Sequence, residues 1–290
     1  MMSIQLLRNL NSNMIKMDTM QNQLSTGRKI NKPSDDPVGI TFSMRYRSEL
    51  SANDQFAKNV DAAASWLDYS DVVLEQAGSV LHRVRELVVN GANGANPDLA
   101  LDAIRAEVLQ MKEQMVNIAN SQFNGKYVFN GQMTDKKPYS ETDPAASGTD
   151  GGLIRFEVGA GVKIEVNVTG NQIFGKPSDS DNLFRVFDEL ATALEAGNTK
   201  EVGNTLGKLD SRMDTFLLLR ADVGAKTNRL ELSGSRLADI GINLEQLQSK
   251  TEDADLAIVI TNLKMAENVY QASLASGSKL ITPSLLDYLR

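Results

Sequence analysis

The chain contains no cysteine and a single histidine among its 290 residues. Without cysteine, disulfide bonds, thiolate metal sites and cysteine nucleophiles are all excluded. With His82 as the one histidine, neither a histidine-based metal site nor a Ser–His–Asp triad can be built. We therefore expect no catalytic residue, no metal site and no cofactor, and we expect that the protein is not an enzyme.

Long apolar runs and aromatic residues are scarce as well. No stretch approaches the roughly 18 apolar residues of a membrane helix, and aromatic residues make up 6% of the chain. The net charge of −7 argues against general nucleic-acid binding. The first residues lack the apolar core and cleavage site of a signal peptide. We expect neither a membrane nor a nucleic acid as partner, and either residence inside the cell or export by a route that reads no such signal.

What the chain does have is a stripe of apolar residues near each end, spaced alternately by three and four residues. This spacing is typical of helices that bury one side against other helices. The two ends are therefore expected to meet, either each other or neighbouring subunits, and to stay unsatisfied until several copies gather. We expect residues 1–32 and 251–290 to be coiled-coil assembly segments. The predicted interface residues are Leu7, Leu10, Met14, Met17, Leu24, Leu256, Val259, Leu263, Tyr270, Leu280, Leu285 and Leu286.

Seven-residue repeats between the ends predict long helices. One helix is expected from about residue 37 to 90, a second from Asp98, and a very long one from about 200 to 250. Together with a shorter helix ended by a glycine, they predict a helical rod made from residues 33–133 and 181–250. The repeating positions of the first rod helix are Val60, Leu67, Leu74, Leu81 and Val88.

Turn residues mark where the predicted helices begin and end. Gly27 stands where a glycine ends a helix, Asp36 suits an N-cap, and Pro37 suits the first helical position. Asp35 and Asp36 could also form a metal-ligand or acid–base pair. Capping explains both carboxylates without such a site, so we expect a structural turn here.

The middle of the chain has a β pattern instead. Residues 127–129 lie between two Asn-Gly pairs and predict a short strand, whereas the polar residues 134–152 predict a mobile loop. Apolar residues alternate from Leu153 to Val168 around a Gly-Ala-Gly turn, which predicts a β-hairpin. We expect residues 134–180 to form a small β-rich domain. The predicted fold class is mainly α (α+β), a long helical bundle or coiled coil built from discontinuous N- and C-terminal segments.

Several segments resemble flagellar proteins. The sequence QLSTGRKINKPSDDPVG at 23–39 is similar to a turn of the bacterial flagellin superfamily. The segments at 64–89, at 123–131 (FNGKYVFNG) and at 284–290 (SLLDYLR) narrow the resemblance to the family of hook–filament junction proteins, also called hook-associated protein 3. The resemblance covers nearly the whole chain and is least informative at about 134–180.

The resemblance implies a structural subunit of the flagellum that joins the hook to the filament and templates flagellin assembly. It implies an extracellular place at the hook–filament junction, reached by type III export without a cleaved signal. The implied partners are the preceding hook-associated junction protein, flagellin, further copies in a ring, and an export chaperone on the carboxy-terminal region, about 250–290. The β-rich domain would face outward. Filament flagellin is the nearest alternative, and a coiled-coil scaffold protein is a more distant one.

Overall fold

Long helices dominate the computed structural model, which describes residues 2–94 and 96–280. The helices are α1 (Met2–Thr26), α2 (Pro37–Gly91), α3 (Asp98–Ala119), α4 (Gly170–Ile173), α5 (Leu183–Glu195), α6 (Thr199–Glu252) and α7 (Leu256–Leu280). The strands are β1 (Gln122–Phe123), β2 (Lys126–Tyr127), β3 (Arg155–Gly159) and β4 (Val162–Glu165). The predicted fold class, mainly α with a small β part, is confirmed.

The described residues form two compact units. The terminal unit contains the residues up to Asp54 and those from Asp239 onward, and the central unit contains Gln55–Ala238. The helices α2 and α6 each contribute residues to both units, whereas α1 and α7 belong to the terminal unit alone.

The core of the central unit is built on the seven-residue repeat of α2. A Cβ added at Gly78 would lie 3.2 Å from the ring of Phe216, so α6 approaches α2 closely there. Arg85 of α2 also pairs with Asp210 of α6 at 2.8 Å. The repeat predicted from the sequence is confirmed, because all its positions are buried: Val60, Leu67, Leu74, Leu81 and Val88.

The helices α3 and α5 pack against each other within the same unit. At the start of α5, the side chain of Asn182 accepts a hydrogen bond from the backbone N–H of Arg185 at 3.2 Å, which is an N-cap. The helix is followed by Gly197 at φ +62°, the left-handed conformation that favours glycine. The glycine stop predicted for this helix is confirmed.

The strand predicted over residues 127–129 is wrong in its position. The strands β1 and β2 have two residues each and pair with each other in antiparallel fashion. After Tyr127 the chain leaves the sheet, because Val128 and Phe129 turn into the core, where they are 0% and 1% exposed. Burial of these two side chains replaces the strand.

Residues 134–180 contain one two-stranded sheet, the antiparallel pair β3 and β4, and the short helix α4. The predicted hairpin is confirmed. The polar segment 134–152 is anchored where the sequence predicts a mobile loop. Tyr139 is 0% exposed, and its ring lies 5.5 Å from that of Phe174 and 5.0 Å from that of Phe184. A single aromatic side chain therefore holds this loop on the core.

In the terminal unit, the turn between α1 and α2 lies against the turn between α6 and α7. The backbone N–H of Lys29 donates to the carbonyl of Glu252 at 2.7 Å, and the N–H of Ala254 donates to the carbonyl of Gly27 at 2.9 Å. Because the backbone itself joins the two turns, both helix breaks are held at the same level.

Two neighbouring aspartates shape the first of these turns. The Asp36 carboxylate accepts a hydrogen bond from the N–H of Gly39 at 2.9 Å and so caps α2. The Asp35 carboxylate accepts from the N–H groups of Lys32 and Asn31 at 2.8 and 3.0 Å, and these bonds lower the pKa of Asp35. The capping interpretation of this pair is confirmed.

A buried carboxylate fastens the two turns from the side. The Glu252 side chain is 2% exposed and accepts two hydrogen bonds from the Arg47 guanidinium, at 2.8 and 2.6 Å. It also accepts one from the hydroxyl of Ser43, and Arg28 lies 3.4 Å away. These four residues form the Glu252 clasp. Chiefly through the Arg47 hydrogen bonds, and despite burial, the clasp lowers the pKa of Glu252 to about 2.

We predict that Glu252→Gln lowers the free energy of unfolding at neutral pH by about 2–3 kcal/mol, because the two guanidinium groups then face a neutral amide. The lowered pKa makes this contribution dependent on pH. It is complete above the ordinary value of 4.5 and is lost as the pH falls toward about 2. Urea unfolding followed by circular dichroism at neutral pH and at about pH 3 should show the two proteins converging at the lower pH.

The matched control is Glu245→Gln, which changes an exposed carboxylate on the same helix. It should alter the free energy of unfolding by less than about 0.5 kcal/mol at either pH. An equal loss for Glu252→Gln at both pH values would contradict the clasp, because the loss would then not depend on the ionised carboxylate.

Candidate assembly interface

The helices α1 and α7 are each 25 residues long and pack along each other. On both helices the less exposed positions recur at three- and four-residue steps, so each helix turns one inner face toward the other. The inner face of α1 consists of Leu6, Leu10, Asn13, Met17 and Met20. The inner face of α7 consists of Val259, Leu263, Ala266, Tyr270, Ser273 and Gly277.

A glycine sets the distance between the two helices at the far end of the pair. Gly277 is buried, and a Cβ added there would lie 2.6 Å from Cδ2 of Leu6. The absence of a side chain thus lets Leu6 rest on the α7 backbone. The small residues that weaken the α7 stripe in the sequence are therefore the places where α1 comes closest.

The predicted interface residues fall into two groups in the structure. Those covered by the paired helix of the same chain are Leu10, Met17, Val259, Leu263 and Tyr270. Those exposed by 36–64% are Leu7, Met14, Leu24 and Leu256. Leu280 is the last residue of α7, and Leu285 and Leu286 lie outside the described residues.

The helix α7 also carries large apolar side chains on either side of its inner face. At about 100° per residue, these side chains fall on two opposite flanks. Flank A consists of Ile258, Met265 and Val269, which are 51–58% exposed. Flank B consists of Leu256, Ile260 and Leu274, which are 46–47% exposed.

The outermost face of α7, between the two flanks, is polar. It carries Thr261, Lys264, Asn268 and Gln271, all exposed. The ammonium group of Lys264 pairs with the carboxylate of Glu267, beside flank B, at 2.8 Å. The surface of α7 therefore alternates between a covered inner face, two bare apolar flanks and a wet outer face without net charge.

Apolar side chains are exposed on α1 as well, away from its inner face. This outer patch of α1 consists of Ile4, Leu7, Met14 and Ile15, which are 54–64% exposed. Pairing with α7 therefore satisfies one side of α1 and leaves the other side bare.

The sequence stripes led to the inner faces more than to the bare surfaces. Ile4, Ile15 and most of flanks A and B were missed, because the three-and-four-residue rule selects a single stripe for each helix. A signal for them was present. Apolar residues in α7 are not confined to its stripe, and a helix that is apolar on several sides is expected to be covered on several sides.

The described residues offer little for catalysis. Among residues 2–94 and 96–280, no group of three or more His, Cys, Asp or Glu side chains is placed to hold a metal ion. In a cleft between α5 and α6, the charged groups pair off: Lys208 lies 2.6 Å from Glu189, and Asp188 lies 2.5 Å from Lys112.

Membrane insertion was examined over the same two ranges. None of the helices described there combines the length and the apolar character needed to cross a bilayer.

Two curated relatives are similar over most of the chain. The flagellar filament 30.7 kDa core protein of Treponema maltophilum is 27% identical over 254 residues, which cover 87% of this chain and 84% of that protein. Flagellar hook-associated protein 3 of Salmonella typhimurium is 26% identical over 275 residues, covering 87% of this chain and 86% of that protein.

A solved structure has the same fold. Flagellar hook associated protein-3 from Legionella pneumophila superposes with a TM-score of 0.62 at 15% identity, over 78% of this chain and 99% of that one. At this level of identity, the likeness shows the fold alone.

Family models match both ends of the sequence. The bacterial flagellin N-terminal helical region matches residues 1–134, and the bacterial flagellin C-terminal helical region matches residues 200–289. Together these matches cover more than two thirds of the chain and include α1, the two joined turns and α7. The chain therefore belongs to the bacterial flagellin family.

Proposed function

We propose that this protein is a structural subunit of the bacterial flagellum that joins the hook to the filament and templates flagellin assembly. The observation that carries the proposal is the bare apolar surface of the terminal helices. Although α1 and α7 already cover each other's inner faces, flank A, flank B and the outer patch of α1 remain about half exposed. Apolar surface of this kind is satisfied by neighbouring proteins.

Two lines of support favour a junction protein over filament flagellin. The relative named hook-associated protein 3 is similar along most of its length, and the segments FNGKYVFNG and SLLDYLR resemble the junction family. Filament flagellin stays the second candidate, because the filament core protein of Treponema maltophilum is similar to the same extent.

The proposal assigns a role to each part of the chain. Residues 1–32 and 251–290 are the assembly segments, residues 33–133 and 181–250 form the rod, and residues 134–180 face outward. The subunit is not an enzyme and takes no cofactor. It meets the preceding hook-associated junction protein on one side, flagellin on the other, and further copies in a ring.

The proposal includes the route by which the subunit reaches its place. We infer export through the flagellar type III apparatus without a cleaved signal, with an export chaperone on about 250–290 before assembly. The final location is extracellular, at the hook–filament junction, with neither a nucleic acid nor a membrane as partner.

Immunogold labelling of intact flagella distinguishes the two candidate functions. A junction protein should be labelled in one short zone between hook and filament, because its copies are confined to a ring. Labelling along the whole filament would identify a filament flagellin and contradict the proposal. Labelling confined to the cell interior would favour a scaffold protein.

A charge in the outer patch of α1 should block assembly without unfolding the subunit. Leu7 is 64% exposed, so Leu7→Asp should change the free energy of unfolding by less than about 0.5 kcal/mol. In an assembled flagellum the same carboxylate would be buried without a partner, which is costly. Cells with this variant should keep their hooks and secrete flagellin but lack filaments, as seen by electron microscopy.

The matched control is Asn11→Asp, which adds the same charge at an exposed polar position of α1 and should leave filaments in place. A substitution such as Leu10→Asp would be less informative, because Leu10 lies on the inner face and its loss would also separate α1 from α7. Normal filaments with Leu7→Asp, or equal loss with both variants, would contradict the proposed role of this patch.

A further inference from the structure

The exposure pattern of α7 is that of a helix with a neighbour on either side. Its inner face is covered by α1, its outermost face is polar, and the two flanks between them are apolar and about half exposed. Flanks A and B point in opposite directions, so one partner on one side cannot cover both. The helix therefore offers two separate docking surfaces.

Symmetry limits how copies of the chain can satisfy both surfaces. In a two-fold dimer the same surface of each copy meets, so one flank would be covered and the other would stay bare. A head-to-tail contact, in which flank A of one copy meets flank B of the next, covers both flanks. Such a contact repeats from copy to copy and closes into a ring or continues as a helix.

The size of each flank points to a repeated contact as well. Three half-exposed side chains offer roughly 200–300 Å² per copy, whereas a stable interface buries about 800 Å² per partner. One flank contact is therefore too small to hold two free copies together. In a ring every copy is held on both sides, in addition to whatever its outer patch on α1 contributes.

The charges near the flanks permit this contact. Flank A contains no ionisable residue. Flank B borders on Glu267, whose carboxylate is already paired with Lys264 of the same helix at 2.8 Å. A neighbouring copy would thus cover apolar side chains and one neutralised pair, with no unpaired charge to remove from water.

We propose that α7 of one copy places flank A against flank B of α7 in the next copy, so that the second copy is the occupant of both surfaces. The inference rests on the proposed function, because it requires copies to stand side by side in the flagellum. It goes further by naming the two surfaces that meet and the head-to-tail sense of the contact.

Disulfide trapping tests this contact, and the absence of cysteine from the chain makes the test clean. Double variants place one thiol on each flank: Ile260→Cys with Val269→Cys, and, to allow for a different register, Ile260→Cys with Met265→Cys. The variants replace the native chain in the bacterium. Intact flagella are then oxidised in air with copper phenanthroline, and this chain is detected by antibody on non-reducing gels.

A head-to-tail contact should give a ladder of dimers, trimers and larger multimers from at least one double variant. The single variants Ile260→Cys, Val269→Cys and Met265→Cys are the matched controls and should stay monomeric. A dimer from any single variant would overturn the inference, because the same flank of two copies would then be in contact.

The outcomes also separate this inference from the proposed function. No ladder from either double variant, in motile cells with gold label at the junction, would overturn the flank contact and leave the junction role standing. A ladder from a chain that is labelled along the whole filament would support the flank contact and contradict the junction role.

Discussion

The pairing of α1 with α7 is the interaction on which the rest of this account depends. It covers one face of each helix, and the close approach at Gly277 shows that the two backbones meet without room for another element between them. Everything else on the surface of the pair follows from that choice of face. The apolar side chains that remain on α7 lie on its flanks, and those on α1 lie on its outer side. A pair that is closed inside and apolar outside is a building block for assembly.

The joined helix breaks give this pair a fixed place in the terminal unit. Backbone hydrogen bonds tie the α1–α2 turn to the α6–α7 turn, and the Glu252 clasp adds a buried carboxylate held by Arg47, Ser43 and Arg28. A buried charge of this kind is specific in geometry, because each oxygen must keep its partners. The clasp therefore determines where α1 and α7 begin to run together, and thus which of their side chains are left bare.

The sequence predicted the parts of the fold that depend on local pattern. The α2 repeat, including Leu74, is buried at every predicted position, and Asp36 caps α2 because capping needs only neighbouring backbone. It did not predict features made by distant residues. Glu252 looks like any surface glutamate until Arg47, about two hundred positions earlier, is placed beside it, and Tyr139 stands in a segment whose composition suggests only a loop. The bare flanks of α7 were missed because one stripe for each helix was assumed.

Methionine oxidation measures most directly whether the bare surfaces are open in the free subunit and covered in the flagellum. Met14 and Met265 are 54% and 57% exposed, Met133 is 49% exposed, and Met115 is fully buried. Brief peroxide treatment of the free subunit, read by mass spectrometry, should oxidise Met14 and Met265 about as fast as Met133 and spare Met115. In intact flagella, Met14 and Met265 should react at least about tenfold more slowly. Protection of both in the free subunit, or equal reactivity in free and assembled protein, would contradict the account.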